Sequence, residues 1–380
     1  MELTVAEERE IPRELADDLS PPERVGIKRF FLRAFMDGEL HGISTSLLVA
    51  RDRSGAPLAA SAVSRLRLAM DCIAPSSIQR LAGAVRRLWP SFLELDLLMC
   101  GIPASLADNE SVVVPGLSVD VGTAVRRALI AFSADLMERE QRMACVWKEF
   151  DRAALKVWQP AFEQTGFAWF PSVPVSVQTV RWTSLEDYLQ RLRAPYRRQL
   201  AQNVSRAAAS GVEIELDLDP GPHMAAFARL YQQVLARSST RLETLSVRFF
   251  ELLAEDPRVR FIRASMAGRT VGGALCYVDA PSVLVFLYVG MDYAVMRETD
   301  LYFNLLRAIV ELAAARRVSR VHWGQTSPDA KGRMGATLEP LRFALLFRKP
   351  LIQRLLRHSG GWLFPEHHQI ARRVFKGDGS

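Results

Sequence analysis

"YVGMDYAVMRETDLYFNLLRAIVELAAARRVSRVHWGQTSPDAKGRMGA" spans residues 288–336. It opens on the end of an apolar strand, "SVLVFLYVGMD" (282–292), and passes through a polar loop. In "TDLYFNLLRAIVELAAARR" (299–317), Tyr302, Leu305, Leu306, Ile309 and Ala313 recur at helical spacing. That period predicts a helix with one buried face, and Thr299 is the predicted N-cap. A short strand, "SRVHW" (319–323), follows. In the polar stretch after it, Lys331, Arg333 and Gly335 alternate, which predicts an extended segment showing both cations on one side.

The same script runs twice. "SLLVARDRSGAPLAASAVSRL" (46–66) and "VRFIRASMAGRTVGGALCYVD" (259–279) each read as strand, turn, strand, with "DRSG" and "MAGR" as the turns. Each leads to another strand, "FLELDLLMCG" (92–101) or "SVLVFLYVGMD", then to a long helix, 123–141 or 299–317. Each helix feeds a strand ending in Trp, "MACVW" (143–147) or "SRVHW", and a terminal stretch opened by Gly, "GFAWFP" (166–171) or "GATLEP" (335–340). Five elements agreeing in order predict a duplicated unit. Between the copies, Thr183 and Glu186 form a predicted capping box. Pro195 divides two helices, and Gly211 closes the second. A helical pair, about 222–237 and 246–254, precedes the second hairpin. The basic end of the chain, "FPEHHQIARRVFKGDGS", has some helical periodicity and predicts a docking helix, or a segment lying on a phosphate-rich surface.

The 380 residues are 49% hydrophobic and 24% charged, which is globular composition of two-domain length. Net charge is +7, which suits either anionic partners or plain solubility. Cys72, Cys100, Cys145 and Cys276 sit apart in apolar surroundings, so they predict buried thiols in a reducing compartment rather than disulfides or a zinc site. The acidic N-terminus lacks an apolar signal region, and no run is long enough to span a bilayer. A cytoplasmic protein is expected.

The order helix, hairpin, splayed strand, helix, strand and C-terminal hairpin resembles the GNAT acyltransferase plan. Two such units joined by a helical region resemble the FemAB/FemX-like branch of that superfamily. The likeness is carried by "APYRRQLAQNVSRAAASGVEIE" (194–215), similar to the family's basic helix. It is carried also by residues 288–336, similar to its core segment with the Lys-x-Arg-x-Gly ending. The resemblance implies an α/β (α+β) fold of two tandem GNAT-like domains, each a mixed, mostly antiparallel sheet flanked by helices. The expected boundaries are an N-terminal extension (1–24), a first domain (25–182), a second carrying the site (183–350) and a basic tail (351–380). It implies transfer of an acyl or aminoacyl group to an amine. The acceptor is then an amine-bearing small molecule or cell-envelope precursor. The GNAT loop that holds CoA pyrophosphate, Arg/Gln-x-x-Gly-x-Gly/Ala, is replaced by "DYAVMRE" and "VPGLSVDVG". The anionic donor therefore stays open between acyl-CoA, an acyl carrier thioester and aminoacyl-tRNA, with no tightly bound cofactor and no metal.

Acyl transfer needs a polarised carbonyl, an amine that loses a proton and a donor held in line. The resemblance places the carbonyl at the splayed strand, near Tyr288, Val289 and Gly290. Tyr288 is then a candidate proton donor to the leaving group, or a half-buried strand tyrosine. His322 is a candidate general base, or an ordinary strand histidine. Glu298, at the helix start, is a further catalytic candidate, though carboxylates there also offset the helix dipole; Arg297, Thr299 and Asn304 join Val289 and Gly290 as a candidate donor-binding set. Trp323, Gln325 and Asp329, at the strand's end, are candidate acceptor contacts. Lys331 and Arg333 are candidates to hold a phosphate or carboxylate. Arg198 and Arg206 share a helix face with Gln202, either a solvated stripe or a phosphate track.

No GxSxG, Walker, HExxH or GxGxxG pattern occurs, which sets aside those hydrolase, nucleotide and metalloprotease chemistries. A non-catalytic binding module of the same fold is the alternative of another class.

Overall fold

A computed structural model describes residues 2–10, 12, 28–69, 94–104, 106, 111–238, 244–366 and 372–377. Cys72 and most of the N-terminal extension lie outside the described residues. Chain contacts divide the molecule into two units. Unit 1 comprises residues 1–173, 239–244 and 340–367, and unit 2 comprises 174–238, 245–339 and 368–380.

In unit 1, β1 (Thr4–Glu8) pairs antiparallel with β2 (Ser44–Arg51), so part of the N-terminal extension is itself a strand. β2 turns into β3 (Pro57–Ala69) at the "DRSG" segment, where the Asp52 carboxylate accepts from the N–H groups of Ser54 and Ala56 at 2.8 and 3.0 Å. Gly55, at φ +86°, supplies the left-handed residue that such a turn needs. β3 pairs antiparallel with β4 (Glu94–Cys100) and, further along, with the short β5 (Ser111–Val113). α1 (Arg29–Asp37) packs on β2, and α2 (Val119–Arg139) leads to β6 (Ala144–Phe150), parallel to β4. α3 (Arg152–Phe162) packs Trp158 and Phe162 onto Trp147 of β6.

Unit 2 repeats the plan. α4 (Leu185–Arg191) and α5 (Ala194–Ala209) precede β8 (Val212–Leu218), α6 (Met224–Arg237) and α7 (Val247–Ala254). The hairpin of β9 (Val259–Met266) and β10 (Arg269–Asp279) turns through Ala267 and Gly268, at φ +49° and +74°. β11 (Val283–Met291), α8 (Leu301–Ala315) and β12 (Arg320–Gly324) complete the core, with β11 antiparallel to β10 and parallel to β12. Leu305, Leu306, Ile309 and Ala313 of α8 are fully buried under the sheet, as their spacing predicts, while Tyr302 is half-buried. Each of the buried leucine and isoleucine side chains contributes roughly 1.5–3 kcal/mol.

The terminal strands depart from a simple tandem. β7 (Ala168–Thr179) closes the first repeat in sequence, but its residues from Pro174 onward pair antiparallel with β12 in unit 2. β13 (Thr337–Phe347) closes the second repeat, but its residues from Pro340 onward pair with β6 in unit 1. Each unit thus takes its last strand from the other half of the sequence.

Three local expectations shift. The cap of α4 is Ser184, whose hydroxyl accepts from Asp187 N–H at 3.1 Å, with Asp187 accepting in turn from Thr183 N–H at 3.0 Å. This is a capping box displaced by one residue, because Ser184 and Asp187 offer the same chemistry as Thr183 and Glu186. Asp300, in the left-handed region at φ +46°, takes the N-cap position of α8 without a side-chain capping bond, and the Thr299 hydroxyl bonds back to Val295 O at 2.8 Å. The described tail residues 372–377 are not helical: Val374 O accepts from Arg193 N–H at 2.9 Å and Lys376 N–H donates to Arg191 O at 2.8 Å.

Candidate active site

The parallel ladder between β11 and β12 runs from Val283↔Arg320 to Val285↔His322 and ends there, while β11 continues to Met291. From Phe286 onward β11 is held by β10 on its other side. The strands splay where Leu287 bulges out of register between Phe286↔Cys276 and Tyr288↔Leu275. A bulge re-aims the residues after it. Phe286 therefore faces the core beneath α8 with Val321 and Trp323. Tyr288 faces the opposite side, where Tyr231 of α6 and Phe249 and Phe250 of α7 surround its ring at centroid distances of 5.6–5.9 Å. Strand alternation puts His322 on the Tyr288 side, away from Trp323.

Lys331 closes the opening from the Phe286 side. The stretch read as extended is a helical turn, α9 (Pro328–Arg333). Pro328 at its first position and Asp329 in its first turn supply ordinary helix-start chemistry. The helix separates the two cations that alternation would have placed together. Lys331 turns inward, 1% exposed, with Nζ 5.7 Å from the centroid of the Phe286 ring. Arg333 turns outward, paired with Asp329 at 3.4 Å and lying 6.0 Å from the Phe303 ring. Burial lowers the Lys331 amine to about 7. Asp329 also pairs with Arg372 of the tail, so its carboxylate is engaged within the chain.

A buried network fixes α9. Gln178 of β7 donates to Met334 O at 2.7 Å and accepts from Trp323 Nε1 at 3.0 Å. The Tyr188 hydroxyl donates to the same Met334 carbonyl at 3.0 Å. Gly335, at φ +92°, lies directly beneath the Phe375 ring, where a Cβ would come within 2.3 Å of it. Tyr302 of α8 bonds Ser327 at the helix start, and burial raises its phenol to about 12. Sequence reasoning missed Phe286, Gln178 and Tyr188. A lone glutamine in the apolar run "PVSVQTV" is the signal that marks Gln178 as a buried polar partner.

The residues of the candidate donor-binding set make these contacts within the chain. Asn304 Nδ2 donates to the carbonyls of Asn203 at 3.0 Å and of Thr299 and Asp300 at 3.2 Å, joining α5 to the start of α8. Arg206 pairs with Asp300 at 3.0 Å over the same helix start. The N–H groups of Leu301 and Asn304 bond Met296 O and Asp300 O, both at 3.1 Å. Thr299 is buried, and a Cβ on Gly290 would come within 2.9 Å of Leu230 and Tyr231 on α6, so Gly290 is a packing glycine. Val289 is half-buried against the α8 core. Arg297, Glu298 and Arg198 are exposed. Trp323 is fully buried and Gln325 is 9% exposed. Among the described residues, no cluster of His, Cys, Asp or Glu is placed to hold a metal.

The profile of the FemAB-like family, described as peptidoglycan biosynthesis/recognition, matches residues 117–324, more than half of the chain. The chain belongs to the FemAB-like family. It is an acyltransferase of that family, with the mixed α/β fold expected of it. The structure is similar to that of FemX, with a TM-score of 0.55 and 12% identity over 93% of this chain and 100% of FemX. It is also similar to the C-terminal domain of a putative lysylphosphatidylglycerol synthetase from Agrobacterium fabrum, with a TM-score of 0.51 and 11% identity over 94% and 98% of the two chains. These likenesses concern the fold. A comparison with curated proteins returns no match. No described helix of this FemAB-like chain is long and apolar enough to cross a membrane.

Proposed function

We propose that this FemAB-like chain transfers an aminoacyl group from an aminoacyl-tRNA ester to an amine, with the reaction centred between β11 and Lys331. The observation that carries this is the buried Lys331 amine set against the point where the β11–β12 ladder opens. Backbone N–H groups along an opened strand suit a carbonyl that becomes an oxyanion as the amine attacks. About half of it neutral near pH 7, Lys331 takes a proton from the attacking nitrogen as the C–N bond forms. It returns that proton to the ribose oxygen as the ester C–O bond breaks. The products are an amide and a free tRNA end.

The start of α8 supports an ester donor over CoA. A phosphate bound there would meet the Asp300 carboxylate, paired with Arg206 across the helix start, and a Leu301 N–H already bonded to Met296 O. Arg197 and Arg198 stand exposed on α5, and no acidic residue occurs from Pro195 to Val212, which suits a nucleic-acid backbone. The acceptor is an amine-bearing small molecule or cell-envelope precursor.

Transfer assays with charged tRNA and with acetyl-CoA decide the donor. Turnover with charged tRNA, weakening steeply with salt, is expected; turnover with acetyl-CoA alone overturns the donor assignment. Lys331→Met is expected to lower kcat by about 10²–10⁴-fold. Lys331→Arg is expected not to restore it, because a guanidinium does not give up its proton. Undiminished turnover in Lys331→Met removes Lys331 from the mechanism.

A further inference from the structure

α10 (Pro350–Leu363) is the amphipathic helix that follows β13 in unit 1. Its inner face is satisfied. Ile352 and Leu356 pack into the apolar cluster of Phe170, Leu345 and Phe347. Gln353 accepts from Phe347 N–H at 2.9 Å and donates to Gly166 O at 2.8 Å. The outer face is apolar where solvent normally selects polar residues. Leu351 and Leu355, one turn apart, are 69% and 62% exposed. Arg354 and His358 extend the same stripe and are exposed, and Lys349 stands exposed just before the helix. No Asp or Glu occurs from Leu341 to Pro365.

Two leucines flanked by the cations Lys349 and Arg354 define what covers them. A second copy of this chain would bring the same cations against one another, in a protein already carrying +7. A nucleic acid would meet the charges but not the leucines. An anionic bilayer surface meets both, with leucines entering the acyl boundary while the basic heads remain among phosphates. We propose that the outer face of α10 docks this enzyme onto anionic phospholipid. The surface lies in unit 1 and uses no residue of the Lys331 site, so it stands apart from the transfer chemistry.

The test is sedimentation of the full chain with vesicles of equal parts phosphatidylglycerol and phosphatidylcholine, and with pure phosphatidylcholine. Binding to the mixed vesicles and little to the neutral ones is expected. Leu351→Ser with Leu355→Ser is expected to weaken binding by about tenfold or more, through lost insertion. Lys349→Gln with Arg354→Gln is expected to weaken it by about tenfold and to flatten its salt dependence. Melting temperatures close to wild type are expected, since these side chains are exposed; if one pair lowers melting, the other pair still decides. Equal binding to neutral vesicles, or no loss in either pair, overturns the proposal. A dimer in gel filtration that the leucine pair dissolves overturns it also, and gives the face to a second copy.

Discussion

At the scale of single residues, Lys331 sets the sharpest pH dependence. Its amine is held at about 7 by burial, against 10.5 in an exposed lysine. The unfolded chain therefore binds a proton between those values that the folded chain lacks. Folding stability should rise as pH increases from about 7 toward 10.5 and level off outside that window. The gain is on the order of a few kcal/mol, spread across the window. Lys331→Met should remove this slope in denaturant titrations at several pH values and should leave the protein more stable at neutral pH. An unchanged slope would place the titration elsewhere. Lys331 was legible as a candidate from its place in a Lys-x-Arg-x-Gly run. Its burial was not, because alternation suggested two solvent-facing cations and gave no sign that helix geometry would turn one of them inward.

Among the elements, α9 depends on what presses on it from the tail. Gly335 has a left-handed backbone and lies beneath the Phe375 ring. Gly335→Ala should cost about 1–3 kcal/mol through backbone strain and displacement of that ring. Limited proteolysis should then cleave the tail faster than in wild type, because Phe375 also packs on Trp182 and Tyr188. A tail cut no faster would mean that the ring relocates freely. Most elements could be read from the chain because hydrophobic period is a local signal, as in β9–β10 and α8. α9 could not, since Pro328 and Gly332 read as loop residues, although Pro at a first helical position is also a start signal. The bulge at Leu287 had no signature either, because it depends on how β10 aligns beside β11.

Across the whole molecule, the repeats are alike in order and unlike at their centres. In unit 1 the β4–β6 ladder is zipped to Cys100↔Trp147, the last residue of β4. Lys148 follows at once, its Nζ held by Ile102 O at 2.9 Å, by Ala104 O, and by the Glu149 carboxylate at 3.2 Å. An ammonium thus ties down the ground that unit 2 leaves open. Lys148→Met removes the buried ammonium that joins Ile102 O, Ala104 O and Glu149, and should lower unfolding free energy by about 3 kcal/mol in urea titrations. Donor binding by the protein that remains folded should be unchanged; a selective loss of binding would show that unit 1 also handles the donor. The duplication was legible in sequence, but the exchange of β7 and β13 was not, because strand partnership is a long-range choice that leaves no local pattern. That exchange also orders events at the ribosome. The half synthesised first cannot complete its sheet when its own residues have emerged; it must wait until residues 340–347 leave the exit tunnel. A nascent chain stalled before that point carries β6 with an open edge, a state that chaperones are suited to shield.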